Sequence, residues 1–267
     1  MNLSKLVIFL MNIKEITIKI FNTVIKTPII YFFSLQPEEV DVHDPAKKLL
    51  NSMRITAKCR FNAAVRLSST NSYSFITTTV LSLGLIFIPL YQSSGLPIPY
   101  SDKVLSMLQI FLAVAVLVYS VIIGTSKYEL RASKLDQCGV DIKVLIRRLR
   151  HDICTAKANN LPLDLEKYHE KYHVISAESE NHSRLDYLQA ILETRSDFNI
   201  TGVKRAYLYL KMNIIRATTY FIPTVMMLFE ILFILDITRV TECFSSILGK
   251  DNNTIKITCS YFYKIFI

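Results

Sequence analysis

Residues His169, Glu170, Lys171, Tyr172 and His173 spell H-E-x-x-H. On a helix this spacing sets two imidazoles one turn apart beside a glutamate, which is the arrangement that holds zinc and activates a water molecule. A catalytic zinc also needs a third protein ligand and a water-poor pocket. The continuation supplies Ser176 and Ser179 where one class of zinc peptidase carries glycine and histidine, and no acidic pair follows at a recognisable spacing. Lys167, Tyr168 and Lys171 make the stretch read as a solvated helix face. No catalytic residue, metal or cofactor is therefore expected. His151 stands beside Arg147, Arg148 and Arg150 and reads as part of an exposed basic face for acids or lipid headgroups, ahead of a site for an anionic ligand such as a nucleotide.

A second group of residues has chemistry of a different kind. Ser74, Thr78 and Ser82 fall at i, i+4 and i+8, with Thr77 alongside and Gly84 further on; Gln109, Ala113, Val116, Ser120 and Gly124 make a comparable stripe. Hydroxyls and small side chains on one helix face either let helices approach closely or line an aqueous path. Close packing is the commoner use. A path would need several copies, because one pair of helices encloses nothing.

These stripes sit in the two elements that organise the chain. The runs 73–91 and 104–124 each hold about 20 residues without a charge, enough at about 1.5 Å per residue to cross a bilayer core of about 30 Å. Twelve residues separate them, and Gly95, Pro97 and Pro99 break any helix there. The pair is a transmembrane hairpin with both ends on one side. From Pro45 to Ser101 there is no Asp or Glu, while Lys47, Lys48, Arg54, Lys58, Arg60 and Arg66 precede the first run and Lys127, Arg131 and Lys134 follow the second. The positive-inside rule puts both ends in the cytoplasm, with Arg54, Lys58, Arg60 and Arg66 as membrane-proximal cations. The 267 residues are 51% hydrophobic with a net charge of +9. Basic residues flanking spans meet lipid more often than nucleic acid, so no direct nucleic acid contact is expected. The five cysteines show no C-x-x-C pair and no metal-ligand spacing.

Taken in order, residues 1–33 carry Asn2, Lys5, Asn12, Glu15, Lys19, Asn22 and Lys26 along one stripe and read as an amphipathic membrane-surface helix in preference to a weak spanning segment, since Lys14, Glu15 and Lys19 would sit in hydrocarbon. Residues 34–44 are a linker. Asp44 then Pro45 reads as a helix cap and first turn, and the helix they start presents Leu50, Met53, Ala57, Phe61, Ala64 and Leu67 on one side. It belongs with the hairpin in a region 45–126 and should run on towards the first span, with 68–71 the likeliest place for a break. The region 127–219 reads as a cytoplasmic helical domain. Its Tyr128, Ala132, Leu135, Cys138, Ile142, Leu145 and Leu149 make a heptad seam, so the second span should continue into a packed helix to about Ala158. Its partner is the helix from Pro45 or the same helix of another subunit. Further helices are expected over 164–176 and 181–194. The stretch 220–237 reads as a third membrane segment despite Glu230 and Asp236, since a mid-span ionisable group costs about 2.5–3.5 kcal/mol and its aliphatic neighbours can offset that; the alternative is a helix docked against the cytoplasmic bundle. The tail 238–267 is poorly determined, with strand-like alternation from Ile255. The fold class is thus an all-α integral membrane protein, a transmembrane hairpin whose long helices extend into a cytoplasmic helical domain.

The stretch from Arg54 through Thr56, Ala57, Lys58, Arg60, Asn62, Ala63 and Ala64 to Arg66 and Leu67, followed by a Ser/Thr-rich span, resembles the SLATT proteins. These are two-span effectors associated with SMODS and SLOG modules in bacterial conflict systems. Tyr128-Glu129-Leu130-Arg131-Ala132 with Leu135 and Cys138-Gly139, and Glu180-Asn181-His182 with Asp186-Tyr187, are similar to the fifth subfamily. The resemblance covers about Lys48 to Tyr209. It implies an oligomeric effector of phage defence that perforates or depolarises the bacterial inner membrane when a partner enzyme, a nucleotide-messenger synthase or a reverse transcriptase encoded nearby, signals infection. The alternative is a non-conducting anchor or receptor that recruits a soluble partner through its cytoplasmic helices. Within the third motif, His182 and Asp186 lie one turn apart and are expected to hydrogen-bond, with Asn181 capping the following helix.

Overall fold

The computed structural model describes residues 34, 42–195 and 197–244. The surface helix expected over 1–33 and the alternation from Ile255 lie outside the described residues. Among the described residues six helices follow one another: α1 Pro45–Ser93, α2 Asp102–Ser126, α3 Tyr128–Asn159, α4 Glu166–Ala177, α5 Arg184–Glu193 and α6 Gly202–Ile237. They form two compact units, one of residues 42–65 with 133–216 and one of 66–132 with 217–244.

Asp44 starts α1 as its sequence suggests, its Oδ1 accepting from the Ala46 amide at 3.0 Å. The helix runs on into the first span as expected, unbroken at 68–71, and α1 is 49 residues long. Thr70 explains this: its hydroxyl donates back to the Arg66 carbonyl at 2.9 Å, so the polar side chain is satisfied inside the helix and does not end it. Near its far end Pro89 is accommodated, and the chain turns through Gly95, whose φ of 72° favours a residue without a Cβ. The second span does lead into a long helix, but with an interruption. Lys127 takes a left-handed conformation (φ 47°), and the helix resumes at Tyr128 and runs to Asn159.

In the first unit the seam predicted for α3 is buried against the helix from Pro45. Cys138, Ile142, Leu145 and Leu149 pack with Leu49, Met53, Ala57 and Tyr168, which decides between the two partners in favour of the same chain. Gly139 is required here because a Cβ would come 2.8 Å from the Phe61 ring. A smaller cluster of Leu192, Phe198, Ile200 and Met212 closes α5 and the start of α6. Tyr168 donates its hydroxyl to Asp152, and Lys167 adds an ion pair at 3.4 Å, so α4 is tied to α3. The bond holds the Asp152 carboxyl below its usual range.

In the second unit Ile88, Tyr100, Leu105, Leu112, Phe233 and Ile237 make a core. Most other large side chains face outward. In α2 only Leu105 and Leu112 are buried, while Ile110, Phe111, Val114, Leu117, Val118, Val121 and Ile122 are exposed. Each such side chain left in water forfeits about 1.5–3 kcal/mol, so this surface suits hydrocarbon and not water. Three helical stretches, within Pro45–Ser93, Asp102–Asn159 and Gly202–Ile237, are long and apolar enough to cross a membrane.

Candidate functional site: a polar seam among the spans

The polar side chains of the second unit are not scattered over its apolar surface. Ser74 is buried, and its hydroxyl accepts from Tyr119 of α2 at 3.3 Å. Thr78 is half-buried and donates to the Ser74 carbonyl at 3.0 Å, satisfying its hydrogen within the helix while leaving its oxygen lone pairs available. Thr78 and the exposed Ser120 come together at a groove of about 590 Å³ whose other walls include Asn71, Ser72, Phe75 and Gly124. Three members of the predicted stripes, Thr78, Ser120 and Gly124, thus share one surface. Gln109 does not join them. It donates to Gln92 at 2.6 Å near the hairpin turn, and Ser82 is half-buried one turn beyond Thr78.

The third apolar helix docks by polar contacts that its sequence alone did not reveal. Tyr73 meets the Thr224 hydroxyl at 2.5 Å, and its ring meets Tyr220 edge-on with centroids 4.9 Å apart. Tyr100 donates to Asp236, which pushes the Tyr100 hydroxyl above its ordinary range behind the larger effect of burial. Asp236 also accepts from the Phe244 amide at 3.1 Å. Glu230 packs against Gly84 with no hydrogen-bond partner among the described residues. The partners of Tyr73 and Tyr100 lie more than 130 residues away in the chain.

The first unit gathers the family-motif residues differently from the sequence expectation. Arg60 is only 2% exposed, and its guanidinium donates to the carbonyls of Glu180 and, at 3.3 Å, Ser176. It is therefore not a lipid-facing cation: it holds the chain just past the end of α4, where helical carbonyls lack partners. Lys58 pairs with Glu193 at 3.2 Å and Arg54 with Asp197 at 3.6 Å; Arg66 is half-buried. Asn181 does not cap α5. Ser183 does, in a reciprocal capping box with Asp186, whose carboxylate accepts from the Ser183 amide at 2.9 Å and hydroxyl at 2.7 Å. Asp186 is consequently bound to Ser183 where a bond to His182 was expected. The cause is local: three residues away, Ser183 offers the carboxylate both its amide and its hydroxyl. Cys59 lies near, its thiol pushed up to about 12 by burial and then by Asp186. Glu180 and Asn181 are exposed, and Tyr187 sits 6.3 Å from the His182 ring.

His182 is half-buried, and burial followed by the Arg60 charge lowers its pKa from 6.5. The unfolded chain therefore binds the proton more readily than the folded one. Stability is complete above about pH 6.5 and falls as the pH drops through that value towards the lower folded one. Denaturant midpoints of the purified protein in detergent should decline from about pH 7.5 to about pH 5.5, and His182→Gln should flatten part of that slope.

The H-E-x-x-H residues lie on α4 with His169, Glu170 and His173 exposed and Tyr168 and Tyr172 turned inward. No group of three metal-ligating side chains occurs among the described residues. Glu170 and Lys171 instead border a cavity of about 450 Å³ with Asp141 and Arg148. Arg147 and Arg150 line another, of about 410 Å³, with Arg54, Lys58 and Lys143, a surface whose field attracts anions.

Fold and seam together define a helical membrane protein, three apolar helices joined by hydroxyls, tyrosines and carboxylates and carried on helices that also build a packed polar unit. The chain belongs to SLATT family 5, described as the SMODS and SLOG-associating 2TM effector domain family 5, whose family model matches residues 42–235. The match takes in most of α6 as well as the hairpin. No curated protein and no solved structure matches the chain.

Proposed function

We propose that this membrane effector serves a bacterial anti-phage, abortive-infection system and that copies of it assemble in the inner membrane to form a depolarising pore. It performs no catalysis of its own. The observation that supports the reading best is the groove shared by Thr78 and Ser120 on an otherwise apolar, hydrocarbon-facing surface. A single hairpin cannot enclose it, whereas a ring of copies would turn these hydroxyls towards a common axis, as polar side chains line known channels. The ends of the hairpin lie in the cytoplasm, where the first unit receives the signal of an enzyme encoded nearby, a nucleotide-messenger synthase or a reverse transcriptase.

Triggering the protein in cells should collapse the membrane potential, read with a potential-sensitive dye, before viability falls. In the same cells a cysteine at Ser94, in a background lacking the native five, should react with an impermeant maleimide, and one at Lys134 should be protected. A preserved potential in cells that are nevertheless protected from phage would reject the pore and leave a non-conducting anchor that recruits a soluble partner.

A further inference from the structure

The stretches 73–91, 104–124 and 220–237 contain no Lys, Arg or His, and their carboxylates are Glu230 and Asp236. Asp236 is well provided for: Tyr100 and the Phe244 amide donate to Oδ2, and the Thr241 hydroxyl reaches Oδ1 at 3.4 Å. Glu230 is 1% exposed, and neither of its oxygens has a hydrogen-bond partner among the described residues. Its carboxyl group occupies the space that a side chain at position 84 would fill; a Cβ on Gly84 would overlap it.

The titratable groups on the elements around it are otherwise engaged. On the first span Tyr73 meets Thr224, and Tyr91 stacks on Phe87 with centroids 5.7 Å apart. On the second Tyr119 donates to Ser74. In the hairpin turn Tyr100 donates to Asp236, while Asp102 and Lys103 are exposed. On α6 itself Tyr220 lies 3.5 Å from the Thr70 hydroxyl. Among the described residues Glu230 therefore has neither a counter-charge nor a donor. An ionised carboxylate in that position bears the full penalty of leaving water, and ionisable residues inside membranes mark sites where ions or protons bind. A hard metal cation would need about six or more oxygen ligands, and the two oxygens of one side chain do not supply them. A proton needs only one.

We propose that Glu230 is a proton-binding site of the membrane unit, and that the bound proton is what lets α6 rest on α1 at Gly84. When the proton leaves to water, the charge drives Glu230 off Gly84 and loosens that contact. The span thereby gains a protonation-dependent joint.

The test uses the full chain in phosphatidylcholine–phosphatidylglycerol vesicles. Infrared spectra at neutral pH should show a protonated-carboxyl C=O band that shifts in deuterium oxide, disappears on raising the pH, and is missing in Glu230→Gln. Spin labels at the exposed positions Leu83 and Leu228, in a cysteine-free background, should move apart as that band disappears, and should keep one separation at every pH in Glu230→Gln. Glutamine matches the neutral acid in shape, so the variant should insert as the natural chain does; failure to insert counts against the proposal. Gly84→Ala, which crowds the carboxyl, should shift the band and its pH of disappearance. Identical carboxyl bands in the natural chain and Glu230→Gln, or a label separation that ignores pH, overturns the inference.

Discussion

Replacing Thr78 with leucine should slow depolarisation by at least about tenfold, the loss produced by a barrier higher by about 1.4 kcal/mol, while the protein still inserts. Thr78 faces the groove of about 590 Å³ with Ser120, and its hydroxyl oxygen can accept from passing water because its hydrogen is already given to the Ser74 carbonyl. A leucine there adds volume and removes the acceptor, so the constriction narrows and dries. Leucine is well tolerated in hydrocarbon, which keeps insertion intact. Threonine to serine should restore conduction. Crosslinking of the membrane fraction reads assembly separately from the potential-sensitive dye. If the groove serves only packing, leucine will reduce the crosslinked oligomer, and alanine or glycine at 78 will be harmless to both readings.

Arg60→Met should destabilise the unit of residues 42–65 and 133–216 by about 2–4 kcal/mol, measured as the loss of its helical signal in denaturant. The guanidinium of Arg60 is buried and serves two carbonyls, Ser176 in the last turn of α4 and Glu180 just beyond it. Removing it strands those acceptors, and each buried unsatisfied group costs about 1–3 kcal/mol. Part of this is returned, because the buried charge itself no longer has to be desolvated. Methionine keeps most of the stem volume, so the loss reports on the hydrogen bonds more than on packing. Lysine should rescue little, since one ammonium lacks the planar fork that reaches two carbonyls at once. A lysine variant as stable as the natural chain would show that charge, not geometry, holds the segment.

Much of this protein is determined by its sequence alone, for reasons that are local. The two uncharged runs at 73–91 and 104–124 are long enough to cross a bilayer whatever the rest of the chain does, and Gly95 with two prolines forces a turn between them. The seam from Ala132 to Leu149 is written in intervals of three and four, so it had to face a partner. Asp44 caps α1 because cap and helix are neighbours in the chain. The H-E-x-x-H motif shows the limit of such reading: the spacing is present, but exposure of both imidazoles depends on Tyr168 and Tyr172 claiming the inner face of α4.

Tertiary structure decided what depends on residues that arrive from far away. Arg60 looked like one more cation before a span until Ser176 and Glu180 came within its reach, 116 and 120 positions later. Gly84 and Glu230 each look unremarkable in isolation: a small residue in one apolar run, a tolerated charge in another. Only when α6 packs on α1 does the missing side chain of one become the space for the carboxylate of the other. Periodicity can say which face of a helix is buried, but not which distant atom will lie against it.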